Sequence, residues 1–164
     1  MNNIILIGMP ASGKSTIGVV LAKTLGMDFI DTDLIIQSNE HKLLQNIIDT
    51  QGLDAFLEAE QKAILSLNCE NTVVATGGSA VLCESAMNYL KSIGKVIYLY
   101  VECNVLEKRL HNIETRGIAC KKGETTSKIF STRKALYEKF ADCTVNTNNN
   151  SVEQTVKHIL KIVK

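Results

Sequence analysis

The sequence predicts an α/β fold built on a parallel sheet, and three observations carry that prediction. Short apolar runs of strand length recur along the 164 residues, separated by longer stretches with helical periodicity. Runs such as Val96-Ile97-Tyr98-Leu99-Tyr100-Val101 are apolar without alternation, as strands buried on both faces must be when helical crossovers cover a parallel sheet. Near the N-terminus, Gly8-Met9-Pro10-Ala11-Ser12-Gly13-Lys14-Ser15 satisfies G-x-x-x-x-G-K-[ST] in full and directly follows Ile4-Ile5-Leu6-Ile7. That is a strand running into a phosphate-binding turn at the head of a helix.

Taken in order, the strands are expected at Asn3-Leu6, Asp28-Asp31, Thr72-Thr76, Lys95-Tyr100 and Cys143-Asn146. The first crossover helix begins at Lys14 and runs to about Leu25, where Gly26 supplies a stop. Between the second and third strands lies a stretch, residues 34 to 71, longer than one crossover requires. It should hold two or three helices and form a substrate lobe beside the phosphate loop. Asn146-Thr147-Asn148-Asn149-Asn150 reads as a loop before a final helix, Val152 to Val163, and neither an internal repeat nor a low-complexity tract interrupts the pattern.

Composition narrows the function classes. With 164 residues, 45% of them hydrophobic, the expectation is one compact domain over 1–164 acting as a monomer. Lys plus Arg (18) nearly balances Asp plus Glu (17), so no bulk field favours nucleic acid or an anionic membrane as partner. No stretch approaches the ~20 apolar residues of a membrane span, and the first strand starts close to Met1 without a leader, which gives a cytoplasmic expectation. The five cysteines (Cys69, Cys83, Cys103, Cys120, Cys143) form no C-x-x-C pair and read as small apolar fillers in a reducing compartment. Cys120 differs in lying in a polar stretch beside Lys121 and Lys122, cations that could lower its pKa, with an exposed bystander thiol as the commoner alternative. His41, His111 and His158 are scattered among polar neighbours and read as surface residues.

The candidate chemistry gathers where an open parallel sheet places ligands, beyond the carboxyl ends of its strands. Glycines in the phosphate loop let successive backbone N–H groups converge on a diphosphate, Lys14 brings a cation to the outer phosphates, and Ser15 can reach a phosphate-bound Mg²⁺ from the helix start. The ligand expected is a nucleoside triphosphate. The second strand ends in Asp31-Thr32-Asp33, whose two carboxylates project to one side if the strand pitch persists, one for magnesium and the other for an acceptor hydroxyl. Helix capping at Asp33 is the structural alternative. Thr76-Gly77-Gly78-Ser79-Ala80 exposes backbone amides to a small acceptor or simply makes a tight turn. Arg116 lies in the polar, glycine-containing stretch from Asn112 to Gly123, suited to a mobile loop that carries a cation over the transferring phosphate. Spacing alone places Arg133 on the surface of a helix.

Assembled in order, these segments resemble the shikimate kinases, small P-loop kinases of the nucleoside monophosphate kinase type. The resemblance rests on Gly8 to Thr16, Phe29-Ile30-Asp31-Thr32-Asp33, Gly52-x-x-x-Phe56-x-x-x-Glu60, Thr76-Gly77-Gly78-x-Ala80-Val81, Arg116 and Arg133-x-x-x-Tyr137. It implies a three-layer α/β/α P-loop kinase fold with a five-stranded parallel sheet in the order 2-3-1-4-5, a substrate lobe at 34–71 and a lid at 112–124. The activity implied is ATP-dependent phosphorylation of a small metabolite's hydroxyl, shikimate first, with ATP and Mg²⁺ as cofactors. Nucleotide contacts would come from Gly8, Ala11, Ser12, Gly13, Lys14, Ser15 and Thr16, with Arg109 near adenine. Ser15 and Asp31 would serve magnesium. Asp33, Gly77, Gly78 and Arg133 would hold the acceptor, Arg133 by its carboxylate, and Lys14, Asp33 and Arg116 would carry the chemistry.

Three departures bear on the acceptor. The family's usual Gly-Glu-x-x-Phe-Arg-x-x-Glu reads here as Gly52-Leu53-Asp54-Ala55-Phe56-Leu57-Glu58-Ala59-Glu60, so Leu57 replaces an arginine that would share the substrate carboxylate and is expected to line that wall with hydrocarbon. Ser79 replaces a third glycine, and Gly117 replaces a proline in the lid. The alternatives left open are a kinase for another polyol, sugar acid or hydroxy amino acid, and a nucleotide-binding paralogue with impaired turnover.

Overall fold

The computed structural model describes residues 3–111 and 118–163. Five strands, β1 (Asn3–Ile7), β2 (Asp28–Asp31), β3 (Thr72–Ala75), β4 (Gly94–Tyr100) and β5 (Cys143–Asn146), form one parallel sheet in the order β2-β3-β1-β4-β5. Central β1 registers Ile5 against Val74 on one side and Val96 on the other. The helices are α1 (Lys14–Leu25), α2 (Thr32–Glu40), α3 (Leu44–Gln51), α4 (Leu53–Leu65), α5 (Glu84–Ile93), α6 (Cys103–His111), α7 (Thr126–Phe140) and α8 (Val152–Val163).

Alternation along β1 makes the layers visible. Ile4 and Leu6 join Ile17 and Leu21 of α1 and Val156 and Ile159 of α8 in one apolar cluster. Ile5 and Ile7 join Ile64 of α4, Met87 and Leu90 of α5 and Tyr137 of α7 in another. Successive strand residues thus face opposite helical layers, which is why these strands lack polar alternation. A third, smaller cluster of Ile36, Ile47, Phe56, Ala63 and Ala119 holds α2, α3 and α4 together in the stretch between β2 and β3.

Local signals set the element ends that matter for the site. Gly13, in the left-handed region at φ 92°, starts α1 directly from the phosphate loop, and Gly26 at φ 65° ends it with its N–H on the Ala22 carbonyl. β2 stops at Asp31 because that side chain caps α2, accepting the Asp33 N–H at 3.0 Å. After β3 the chain turns through Thr76, whose N–H and hydroxyl both donate to the Leu6 carbonyl, tying the acceptor-side turn to β1.

Candidate active site

The phosphate loop wraps the end of β1. Ala11 (φ 64°) and Gly13 take left-handed backbone conformations, a curvature that turns consecutive N–H groups to one side as an anion nest. A Cβ on Gly8 would lie 2.7 Å from the Leu99 carbonyl oxygen, so only glycine lets the loop pass this close to β4. Lys14 is buried and folds back along the loop, donating to the Gly8 and Met9 carbonyls at 2.8 Å each. Arg109 on α6 donates from Nη1 to the Ala11 carbonyl at 3.1 Å, clamping the loop from outside.

Ser15, in the first turn of α1, donates its hydroxyl proton to Asp31 Oδ2 at 2.6 Å. No cluster of three or more acidic, histidine or cysteine ligands occurs among the described residues. Magnesium asks for less, since it keeps waters and takes one or two protein oxygens plus phosphate oxygens. The Ser15 hydroxyl and Asp31 carboxylate, side by side at the phosphate loop, fit that pattern. Asp33 shares the same cavity wall, although not through strand pitch: the chain is already helical at Thr32, and Asp31, not Asp33, is the helix cap.

These groups open onto a cavity of about 250 Å³ lined by phosphate-loop residues, Asp31 and Asp33, the Thr76–Ser79 turn, and Arg133, with Leu34, Leu43, Leu44, Phe56 and Ile118 on its apolar side. Gly78 packs against the phosphate loop, where an added Cβ would lie 2.6 Å from Pro10 Cδ, and this brings acceptor turn and phosphate loop into contact. The Gly78 carbonyl accepts from Arg133 Nη1 at 3.1 Å and from the Tyr137 hydroxyl at 2.5 Å. Tyr137 is itself stacked on Tyr98 with ring centroids 4.9 Å apart. Arg133 also donates to the Ala119 carbonyl. It is 4% exposed, so the surface position suggested by helical spacing is wrong: α7 packs this face against the turn after β3.

Behind that turn lies Glu60, 2% exposed on the inward face of α4 with Phe56, Ala63 and Ile64. Its Oε2 accepts the Ser79 hydroxyl at 2.5 Å. Burial pushes its carboxyl up to about 7, the Ser79 bond opposes this, Asp33 reinforces it, and Arg133 and Lys14 pull it back. Sequence reading gave Glu60 no role. The available signal was a carboxylate four residues after Phe56 and four before Ile64, on the helix stripe that must face the core.

Comparison with known proteins agrees with this geometry. A model of the shikimate kinase family matches residues 10–164. The shikimate kinase of Clostridium botulinum is 39% identical over 168 residues, covering 100% of this chain and 97% of its own. That of Bacillus mycoides is 35% identical over 160 residues, with 97% and 96% covered. The chain belongs to the shikimate kinase family. Among solved structures, a shikimate kinase from Acinetobacter baumannii in complex with shikimate is 28% identical, covers 99% of this chain and 93% of its own, and has a TM-score of 0.92.

Within that family frame, the structure brings Gly13, Lys14, Ser15, Thr16, Asp31, Asp33, Gly77, Gly78 and Arg133 to one cavity. Arg116 and Gly117 lie outside the described residues, as do all the other lid residues before Ile118. Two expectations fail. Leu57 does not line the cavity; it is half-buried in the apolar cluster of the helical insertion, and its neighbour Phe56 is the residue that reaches the wall. Cys120 is not activated by Lys121 and Lys122: its thiol packs against the main core, burial pushes its pKa up, and Glu124 adds to that more than Arg133 subtracts.

Proposed function

We propose that this shikimate kinase family member transfers the γ-phosphoryl group of ATP to a hydroxyl of shikimate, giving 3-phosphoshikimate and ADP. The observation that carries this reading is the single cavity with phosphate-loop groups on one wall and Asp33, Gly77, Gly78 and Arg133 on another. Asp33 orients the attacking hydroxyl and takes its proton as the oxygen bonds to phosphorus. Lys14 and the loop amides meet negative charge on the transferred group and on the ADP that leaves. Lys14 reaches the γ-phosphate by giving up its contacts with the Gly8 and Met9 carbonyls, which now hold its ammonium at the right end of the loop.

Ser15 and Asp31 would hold magnesium, which when bound neutralises charge on the phosphate oxygens. Arg133 would hold the acceptor carboxylate while its bond to the Gly78 carbonyl fixes the acceptor turn. Arg116 would add a cation from the lid. No helix among the described residues is long and apolar enough to cross a membrane, and the five free cysteines suit a reducing cytoplasm.

The test is coupled ADP release with shikimate and a panel of other hydroxy acids and polyols, with Lys14→Ala as control. Shikimate should support turnover, with 3-phosphoshikimate identified by mass, and Lys14→Ala should lose at least ~10²-fold in kcat. Turnover of another panel member in preference to shikimate would move the acceptor assignment and leave the kinase; unchanged turnover by Lys14→Ala would remove both.

A further inference from the structure

Ser79 stands where the family pattern has a third glycine, and the structure gives its hydroxyl a partner. Its backbone, at φ −96° and ψ −5°, is ordinary for any residue, so no conformational demand selected or excluded a side chain there. The hydroxyl donates to Glu60 Oε2 at 2.5 Å. The other Glu60 oxygen, Oε1, is buried and has no hydrogen-bond partner among the described residues. A Cβ built on Gly77 would lie 2.2 Å from that oxygen and 2.9 Å from Asp33 Oδ1. Glu60 and Asp33 therefore converge on Gly77 from two helices, and Ser79, two residues further on, lines the acceptor side of the cavity. A carboxylate buried with one oxygen unsatisfied is costly. That carboxylate holds in one orientation the buried hydroxyl of Ser79, a residue that lines the cavity.

We propose that Ser79, oriented by Glu60, is a specificity residue that accepts a hydrogen bond from a second hydroxyl of the acceptor, one that is not phosphorylated. Committing its proton to Glu60 leaves Ser79 Oγ with lone pairs as its only remaining capacity, so the site selects a donor at that point. An acceptor presenting a hydroxyl satisfies it; one presenting a methylene leaves the Ser79 oxygen desolvated without a partner. Glu60 is a positioning residue, since it reaches the acceptor only through Ser79. Asp33 beside it holds the reacting hydroxyl, so the turn between Gly77 and Ser79 discriminates two hydroxyls of one small polyol by their separate contacts. This rests on the phosphotransfer reading of the cavity above.

Steady-state ADP release is measured for the wild type, Ser79→Ala, Ser79→Gly, Glu60→Gln and Glu60→Met, using shikimate and analogues each lacking one ring hydroxyl. Both Ser79 variants should raise the acceptor KM about tenfold, the loss of one hydrogen bond, with kcat and the KM for ATP within about twofold of wild type. One deoxy analogue should lose the tenfold KM difference between wild type and Ser79→Ala and bind the variant at least as well as the wild type, because Ser79→Ala leaves no oxygen without a partner. Glu60→Gln retains an oxygen for Ser79 and should keep the acceptor KM near wild type, whereas Glu60→Met should reproduce Ser79→Ala. Equal acceptor KM for wild type and both Ser79 variants overturns the proposal, as does a fall in kcat with KM unchanged. Should Glu60→Met fail to fold, the Ser79 variants and the deoxy analogues decide alone. If the wild type does not phosphorylate shikimate, the function reading fails by itself, and the same variants are compared on whichever panel acceptor releases ADP; release with none overturns both.

Discussion

Glu60→Gln should stabilise the protein by an amount that grows as the pH rises from 5 to 8. In a solvated chain the Glu60 carboxyl titrates near 4.5, and in the fold burial pushes it up to about 7. Between those values the unfolded chain has released a proton that the fold still holds, so raising the pH favours unfolding; above about 7 both states have released it and the penalty stays constant. Each pH unit in that interval costs about 1.36 kcal/mol, so the full interval of roughly 2.5 units costs about 3 kcal/mol. At pH 5 less than about 1 kcal/mol of this is present. Glutamine keeps the volume and an oxygen for Ser79 and has no proton to lose. The assay is urea unfolding followed by far-UV circular dichroism at pH 5, 6, 7 and 8 for both proteins. Titrating groups that do not interact with Glu60 cancel in the difference, which should widen by about 2–3 kcal/mol with unchanged m-values. Parallel curves would show that the Glu60 carboxyl titrates in its ordinary range and would refute the argument from burial.

Other substitutions separate the roles of neighbouring groups. Asp33→Asn should lower kcat by ~10²-fold with little change in the KM for ATP, because an amide holds a hydroxyl but takes its proton poorly; Asp31→Asn should instead raise the magnesium concentration needed for half-maximal activity, while the asparagine still caps α2. Identical kinetic patterns in the two variants would end the division of labour between them. Gly78→Ala should raise the KM for both substrates, since its Cβ would lie 2.6 Å from Pro10 Cδ and push the acceptor turn and phosphate loop apart; unchanged values for either substrate would count against that coupling. Leu57→Arg should lower the thermal midpoint by loosening the apolar packing of α2, α3 and α4 and leave the shikimate KM within about threefold; a large gain in shikimate affinity would show that position 57 reaches the acceptor after all.

The parts of the fold legible in the sequence are those whose cause is local. Unbroken apolar runs gave the strands because both faces of β1, β3 and β4 are covered, and Gly26 ended α1 because its left-handed φ is a property of that one position. Strand ends were less legible where a side chain decided them. At Asp31 the carboxylate accepts the Asp33 N–H and ends β2, so the two acids reach one cavity by a helical turn that strand periodicity does not contain. Arg133 misled for a similar reason: its immediate neighbours Thr132 and Lys134 are polar, although Ile129 and Tyr137 four residues to either side share its buried face, and the carbonyl partners of its guanidinium, Gly78 and Ala119, come from sequence-distant segments.

The two halves of the site differed in legibility because they are built differently. A phosphate is held by consecutive N–H groups of one turn, so Gly8 through Ser15 contains most of what that half needs, and a contiguous motif can represent it. The acceptor half is assembled from α2, α4, the turn after β3, and α7, each contributing one or two groups. Its meaning lies in the contacts between those segments. Leu57 shows the risk in one direction, because one helix position away from Phe56 was enough to turn an expected cavity residue into a packing residue. Ser79 shows it in the other: as a lone replacement it reads as a lost glycine, and only the Glu60 carboxylate, 19 residues earlier, turns it into a hydroxyl with a fixed orientation. The two departures are separated by α4 and β3 in sequence, yet Phe56 and Glu60 place the same helix against the acceptor turn. Changes on the acceptor side can therefore alter which alcohol is recognised without touching the phosphate loop.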